Sequence, residues 1–204
     1  GQVLGTQNVL LAAREAGARK AVYSGSSTFY GNQPPPHREY ETPGEFLNMY
    51  GLTKHVGEQY CLTFDRYFGA PAIVLREFNV YGPRQPQTGN CALCMGIFLR
   101  RWADGSPLIH GEGHQRRDFV HVRDVVRANI LAYESARRGE IYNVGSGSNI
   151  SVKELADMIS PDQRHEARRG GDAEATLADI SRIGAHLGWQ PEVAFAEGLA
   201  ELKQ

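Results

Sequence analysis

The chain has 204 residues, 41% of them hydrophobic and 22% charged, which suffices for one large globular domain with a buried core. Lys and Arg number 22 against 23 Asp and Glu, and a formal net charge of −1 excludes the basic field that a nucleic-acid backbone needs. Any phosphate must then be held by a few placed arginines. No run approaches the length of an apolar membrane span and no basic-then-apolar leader opens the chain, so no membrane partner is expected and the expected location is cytoplasmic.

The chain opens on Gly1 rather than Met, and its first residues already read as the inside of a helix, so a fragment of a longer protein is expected. Asn8 to Ala16 put apolar residues on one helical face, and Gly17 is the stop signal. Ala21-Val22-Tyr23 then reads as a short strand running into Ser24-Gly25-Ser26-Ser27-Thr28. Small residues at a strand's carboxyl end are where open α/β sheets seat ligands. Beyond Pro34-Pro35-Pro36 a long helix is predicted from about Asn48 to Tyr67. Ala72-Ile73-Val74-Leu75-Arg76 follows as the near-continuous apolar run of a buried parallel strand.

A helix around Gly96 to Asp104, a strand at Leu108-Ile109, a helix from near Asp124 and a strand end at Ile141 to Gly145 continue the alternation. Ser151-Val152-Lys153-Glu154 is a capping box that opens a helix through Ile159, and Asp179 is expected to cap a last short helix ending at Gly188. This order predicts an α/β fold with a mostly parallel sheet and a smaller lobe beside it.

Tyr50 and Lys54 stand one turn apart on a single face of the long helix. A tyrosine hydroxyl, with an unperturbed pKa of about 10, is a poor base near neutrality, and a neighbouring ammonium favours its phenolate. The same two residues also read as an ordinary surface pair. Cys61, Cys91 and Cys94 offer one C-x-x-C pair and no second, which points to plain reduced thiols, and no metal is expected.

Five blocks break the tie: Ser24 to Gly31, Tyr50 to Lys54, Phe78 to Arg84, Gly111 to Asp124 with its Arg117-Asp118-Phe119-Val120-His121-Val122, and Arg169-Gly170-Gly171-Asp172. Together they resemble the extended short-chain dehydrogenase/reductase family, in its NDP-sugar epimerase and dehydratase branch, over Gln2 to about Leu199. The resemblance implies the C-terminal portion of a Rossmann-type doubly wound parallel sheet plus a smaller α/β substrate-binding lobe. Residues 1–82 would form the partial NAD-binding domain and 83–204 mainly the substrate lobe, with 117–145 returning to the sheet.

By the same resemblance the cofactor is NAD and the partner an NDP-sugar. Tyr50 would remove a sugar hydroxyl proton, Lys54 would hold the nicotinamide ribose, and Ser26 would bond the same sugar oxygen and relay its proton. Phe78 would border the nicotinamide, and Asn79 would meet the diphosphate. Arg117 and Arg169 would hold phosphate and ribose, Asp172 a ribose hydroxyl, and Leu108 and His110 the base; His110 reads equally as a plain strand-end histidine. A homodimer through the long helices is implied as well.

Relatives that dehydrate the sugar carry an acidic pair after the serine, and decarboxylating relatives keep a Glu at the position of Thr28. Ser27 and Thr28 supply neither, which turns the expectation to 4-epimerisation of a UDP-hexose, with dehydration, decarboxylation or a non-catalytic sugar-nucleotide-binding fragment as the alternatives. Thr176, where relatives gate the sugar 2-substituent, is small enough to leave room for an N-acetyl group. The strand, Gly-rich turn and helix that receive the NAD pyrophosphate in relatives are not found in these residues. Gly111-Glu112-Gly113 and Gly145-Ser146-Gly147-Ser148 read as loops, Gln2 replaces an NAD-contacting Asn, and weak NAD binding with an exposed sheet edge is expected.

Overall fold

A computed structural model describes residues 1–89, 93–103, 108–167 and 170–203. Its elements in chain order are α1 (Gln2–Glu15), β1 (Ala21–Ser24), a 3-10 turn (Ser27–Tyr30), α2 (Met49–Tyr67), β2 (Ala72–Glu77), β3 (Asn79–Tyr81), α3 (Cys94–Ala103), β4 (Leu108–His110), β5 (Arg116–Arg117) and β6 (Phe119–His121). They continue as α4 (Val122–Glu134), β7 (Glu140–Val144), β8 (Ile150–Ser151), α5 (Val152–Ile159), β9 (Arg164–Glu166), α6 (Ser181–Leu187) and α7 (Phe195–Leu202).

The central sheet is parallel, in the order β1-β2-β7, with Tyr23 beside Val74 and Val74 beside Ile141. Successive side chains of a strand point to opposite faces. Ala72 and Val74 therefore pack with Leu10, Cys61 and Phe64 on the side of α1 and α2, while Ile73 and Leu75 pack with Val125, Ala128 and Trp189 on the other. Burial on both faces explains why β2 reads as a continuous apolar run.

Arg76, inside that run, is only 2% exposed. Its guanidinium donates two bonds, at 2.9 and 2.7 Å, to the equally buried carboxylate of Glu58 on α2. A third bond of 3.0 Å goes to the Tyr30 hydroxyl, and the guanidinium carbon lies 3.4 Å from the Phe29 ring centre. The 3-10 turn that follows β1 thus rests on a buried ion pair.

A second cluster joins Tyr81, Phe119 and Ile109 to Phe98 of α3, Leu155 of α5 and Leu199 of α7. The segments β3 and β6 pair in parallel and lead from one cluster to the other. The predicted capping box is formed at α5, where Ser151 Oγ accepts from the Glu154 amide at 3.0 Å and the Glu154 carboxylate accepts from the Ser151 amide at 2.6 Å. Asp179 accepts from the Ser181 amide at 3.0 Å but precedes the penultimate helix; α7 follows it. Gly17, just past α1, has φ +66°, the left-handed conformation that suits glycine.

The outer edge of β1 has no strand partner among the described residues, and an apolar trough lined by Gly5, Val9, Leu10, Val22, Tyr23 and Cys61 runs along it. No helix among the described residues is long and apolar enough to cross a membrane.

Candidate active site

Asn48 has extended backbone, and its side-chain oxygen accepts from the Gly51 amide at 2.9 Å, so α2 starts where the sequence places Tyr50. Tyr50, in the first turn, is 47% exposed and faces an open cavity. Lys54, one turn on, reaches back to the carboxyl end of β1, where Nζ donates to the Ser24 carbonyl at 2.7 Å. The ammonium stands 5.7 Å from the Tyr50 ring centre. Burial pushes Lys54 below the usual lysine value, while the Glu77 carboxylate pulls it back up. Gln2 of α1 accepts a hydrogen bond of 2.6 Å from Thr53, which ties the start of α1 to the same turn.

Two adjoining cavities, of about 210 and 220 Å³, form one trough and share Asn79, Leu93, Arg117 and Asp172. The near end is walled by Ser27, Thr28, Tyr50 and Thr176, the far end by Ile97, Phe98, His110 and Val152. Asn79 Nδ2 donates to the Asp118 carbonyl at 3.0 Å and to Thr176 Oγ1 at 3.2 Å, so these two predicted residues brace each other. Arg117 Nη1 donates to the Arg116 carbonyl at 2.9 Å.

Tyr50, Asn79, His110, Arg117, Asp172 and Thr176 therefore converge on one trough. Ser26 is half-buried and does not line it; it caps the 3-10 turn whose Ser27 and Thr28 do. Phe78 lines neither cavity and packs in the core with Phe29, Tyr30 and Ala178. Leu108 lies in β4 with its backbone beside Arg164; its side chain falls outside the description, and Arg169 lies outside the described residues.

Sequence reasoning missed Leu93, just before α3, and Ile97 and Phe98 on it as trough wall, because apolar spacing on a helix looks the same whether it faces core or cavity. It also missed Asp118, whose buried carboxylate accepts from the Ser146 amide and hydroxyl at 2.6 and 2.8 Å, the Gly147 amide at 3.3 Å and the Ala178 amide at 3.0 Å. In the Gly145-Ser148 turn the Ser146 and Gly147 amides serve Asp118 and the Ser148 amide donates to Ser146 Oγ. An ammonium carries three donors and Lys54 commits one to Ser24, which leaves donors for a ribose diol. Those donors suit the nicotinamide ribose expected of NAD, whereas the described residues offer no evident cradle for the pyrophosphate.

Burial pushes the Cys61 thiol up to about 12 and the Cys94 thiol up to about 11, so both stay protonated near neutrality. Cys94 lines the far cavity, and Cys91 lies outside the described residues.

A parallel α/β sheet with a Tyr-x-x-x-Lys helix at its carboxyl edge, opening on a trough that holds an arginine and an aspartate, defines a Rossmann-type protein with a tyrosine–lysine site. The chain belongs to the NAD dependent epimerase/dehydratase family, whose sequence pattern matches residues 2–145. It is 35% identical to the UDP-glucose 4-epimerase of Mycolicibacterium smegmatis over 207 aligned positions, covering 98% of this chain and 66% of that one. It is 32% identical to the dTDP-glucose 4,6-dehydratase of Streptomyces niveus, covering 97% and 60%. Among solved structures, the UDP-glucose 4-epimerase of Thermotoga maritima with UDP-glucose superposes with a TM-score of 0.91 at 32% identity, covering 99% of this chain and 67% of that one. The chain therefore spans about two thirds or less of the length of these relatives.

Proposed function

We propose that the protein is an NAD-dependent UDP-hexose 4-epimerase whose sugar-handling side this chain carries. Overall similarity cannot choose the reaction, because an epimerase and a dehydratase match at nearly the same identity. The observation that carries the choice is local: Ser27 and Thr28 wall the trough beside Tyr50, and Asp172 is the sole carboxylate among its described lining residues. Neither Ser27 nor Thr28 can protonate a leaving hydroxyl as dehydration requires.

Tyr50 would take the proton of the sugar 4-hydroxyl, with the Lys54 ammonium stabilising the phenolate it starts from. NAD, when bound, supplies the acceptor for the C4 hydride and returns it, while Tyr50 and Lys54 hold its nicotinamide ribose. Arg117 would pair with the diphosphate through its planar fork, Asp172 would accept both hydroxyls of a ribose, and Arg169, Leu108 and His110 would complete the nucleotide end. Release of one face of the transient ketose and its rebinding by the other gives the epimer. The small Thr176 supports acceptance of UDP-N-acetylhexoses. Exposed Met49 and Leu52 on α2 support pairing of two copies through the long helices.

Binding is tested by calorimetry with UDP alone. The wild-type protein should bind, and Arg117→Met should weaken the affinity at least tenfold, a loss of about 1.4 kcal/mol for one charged contact. Equal affinity in both would remove Arg117 from the phosphate site.

A further inference from the structure

The segment between β1 and the 3-10 turn contains a hydrogen-bond arrangement that constrains the chemistry of Ser26. A serine hydroxyl has one proton to donate and two lone pairs to accept with. Ser26 Oγ accepts from the Thr28 amide at 3.2 Å and from the Thr28 hydroxyl at 2.9 Å. Both lone pairs are taken, and only the O–H of Ser26 remains for anything else.

Thr28 is itself fixed. It lines the trough with Tyr50, and its Cβ and Oγ1 would each lie 3.3 Å from a Cβ placed on Gly51, the residue after Tyr50. Packing against the start of α2 and a stiff β-branched χ1 hold the Thr28 hydroxyl oxygen beside Ser26 Oγ.

We infer that Thr28 is a positioning residue that holds Ser26 as a hydrogen-bond donor, so that any bond Ser26 makes to a sugar C4 oxygen entering beside Thr28 and Tyr50 is made by donation. The inference rests on the epimerase reading above. In the oxidation step the C4–H and O4–H bonds break and the C4–O4 double bond forms. The hydride goes to an oxidised nicotinamide, and the proton goes to Tyr50. The relay of that proton through Ser26, expected from the sequence, needs a free acceptor lone pair on Ser26, and Thr28 occupies both. Ser26 instead donates to the oxygen while its proton passes to Tyr50 and negative charge develops on it, a bond that is stronger in the transition state than to the neutral hydroxyl. A carboxylate at position 28 could only accept, and would leave Ser26 committed to it.

The test uses the full-length protein with NAD and UDP-glucose. Thr28→Val keeps shape and packing but removes the hydroxyl donor, whereas Thr28→Ser keeps the donor. For Thr28→Val, kcat should fall on the order of tenfold or more. Its KM, its UDP affinity and its melting temperature should stay near wild type, and it should show less enzyme-bound reduced nicotinamide in the near-ultraviolet during turnover. Thr28→Ser should recover most of the rate. A wild-type rate in Thr28→Val, a loss that serine does not repair, or a parallel loss of UDP affinity would each overturn the inference. An inactive wild type would instead strike at the epimerase reading. In that event an atomic-resolution structure of the UDP complex decides the inference without turnover: Ser26 Oγ within reach of both Thr28 donors supports it, and a rotated Ser26 refutes it.

Discussion

Glu58→Ala removes both carboxylate oxygens from Arg76 and leaves a guanidinium that is 2% exposed with only the Tyr30 hydroxyl at 3.0 Å and the Glu39 carbonyl at 3.2 Å. Breaking a buried pair on one side costs about 3–5 kcal/mol, because the remaining charge stays desolvated. For a chain of this size that lowers the melting temperature by roughly 6–20 °C, at about 2–4 °C per kcal/mol. The loss should extend to the site, because Arg76 stacks on Phe29 in the turn that carries Ser26 and Thr28. Urea unfolding gives the stability directly from the midpoint at constant slope. The double replacement Arg76→Met with Glu58→Leu should regain most of the loss, since well-packed apolar groups substitute for a buried pair at little cost. A cost below about 1 kcal/mol for Glu58→Ala, or a double variant no better than the single one, would refute the argument that desolvation governs this pair.

His37 is fully buried and stacked on Tyr30 at 4.5 Å, and burial pushes its pKa down. The unfolded chain therefore takes up the proton first as the pH falls below about 6.5, so this contribution to stability is present above that value and is lost on acidification. His37→Leu should lose less stability than wild type between about pH 7.5 and 5; identical pH curves would rule the effect out. Asp118→Asn leaves at least one of the amides of Ser146, Gly147 and Ala178 facing a donor, and should cost about 1–3 kcal/mol in urea unfolding; a neutral result would show that the turn finds other acceptors. Ser151→Ala deletes half of a formed capping box and should cost about 1 kcal/mol by the same assay, with no change in UDP affinity. A change in affinity would place that cap in the site.

Features written by local rules were legible in the sequence. The four-residue step from Tyr50 to Lys54, the apolar run of β2 and the Ser151–Glu154 box each need only neighbouring residues to be read. What stayed hidden depends on partners far along the chain. Arg76 looked like the end of an apolar strand because its partner, Glu58, lies on another element. Asp118 looked like one letter of a motif because its acceptors' donors come from residues 146, 147 and 178. The segments β3, β5, β8 and β9 are two or three residues long, too short to show a period. For α7 the signal existed, with Phe195, Leu199 and Leu202 spaced on one face, and it went unread. At the site, Tyr50, Arg117 and Asp172, singled out from the sequence, line one trough, whereas Ser26 does not line it and accepts two bonds from Thr28.

The proposed reaction is epimerisation at C4 by Tyr50 and Lys54, with Ser27 and Thr28 rather than an acidic pair beside Tyr50. Its most direct measurement is the product formed by the full-length protein from UDP-glucose in the presence of NAD, resolved by chromatography and NMR, beside Tyr50→Phe. UDP-galactose from the wild type, with turnover abolished in Tyr50→Phe, is the predicted result. Accumulation of a 4-keto-6-deoxy sugar, or unchanged conversion in Tyr50→Phe, would contradict it.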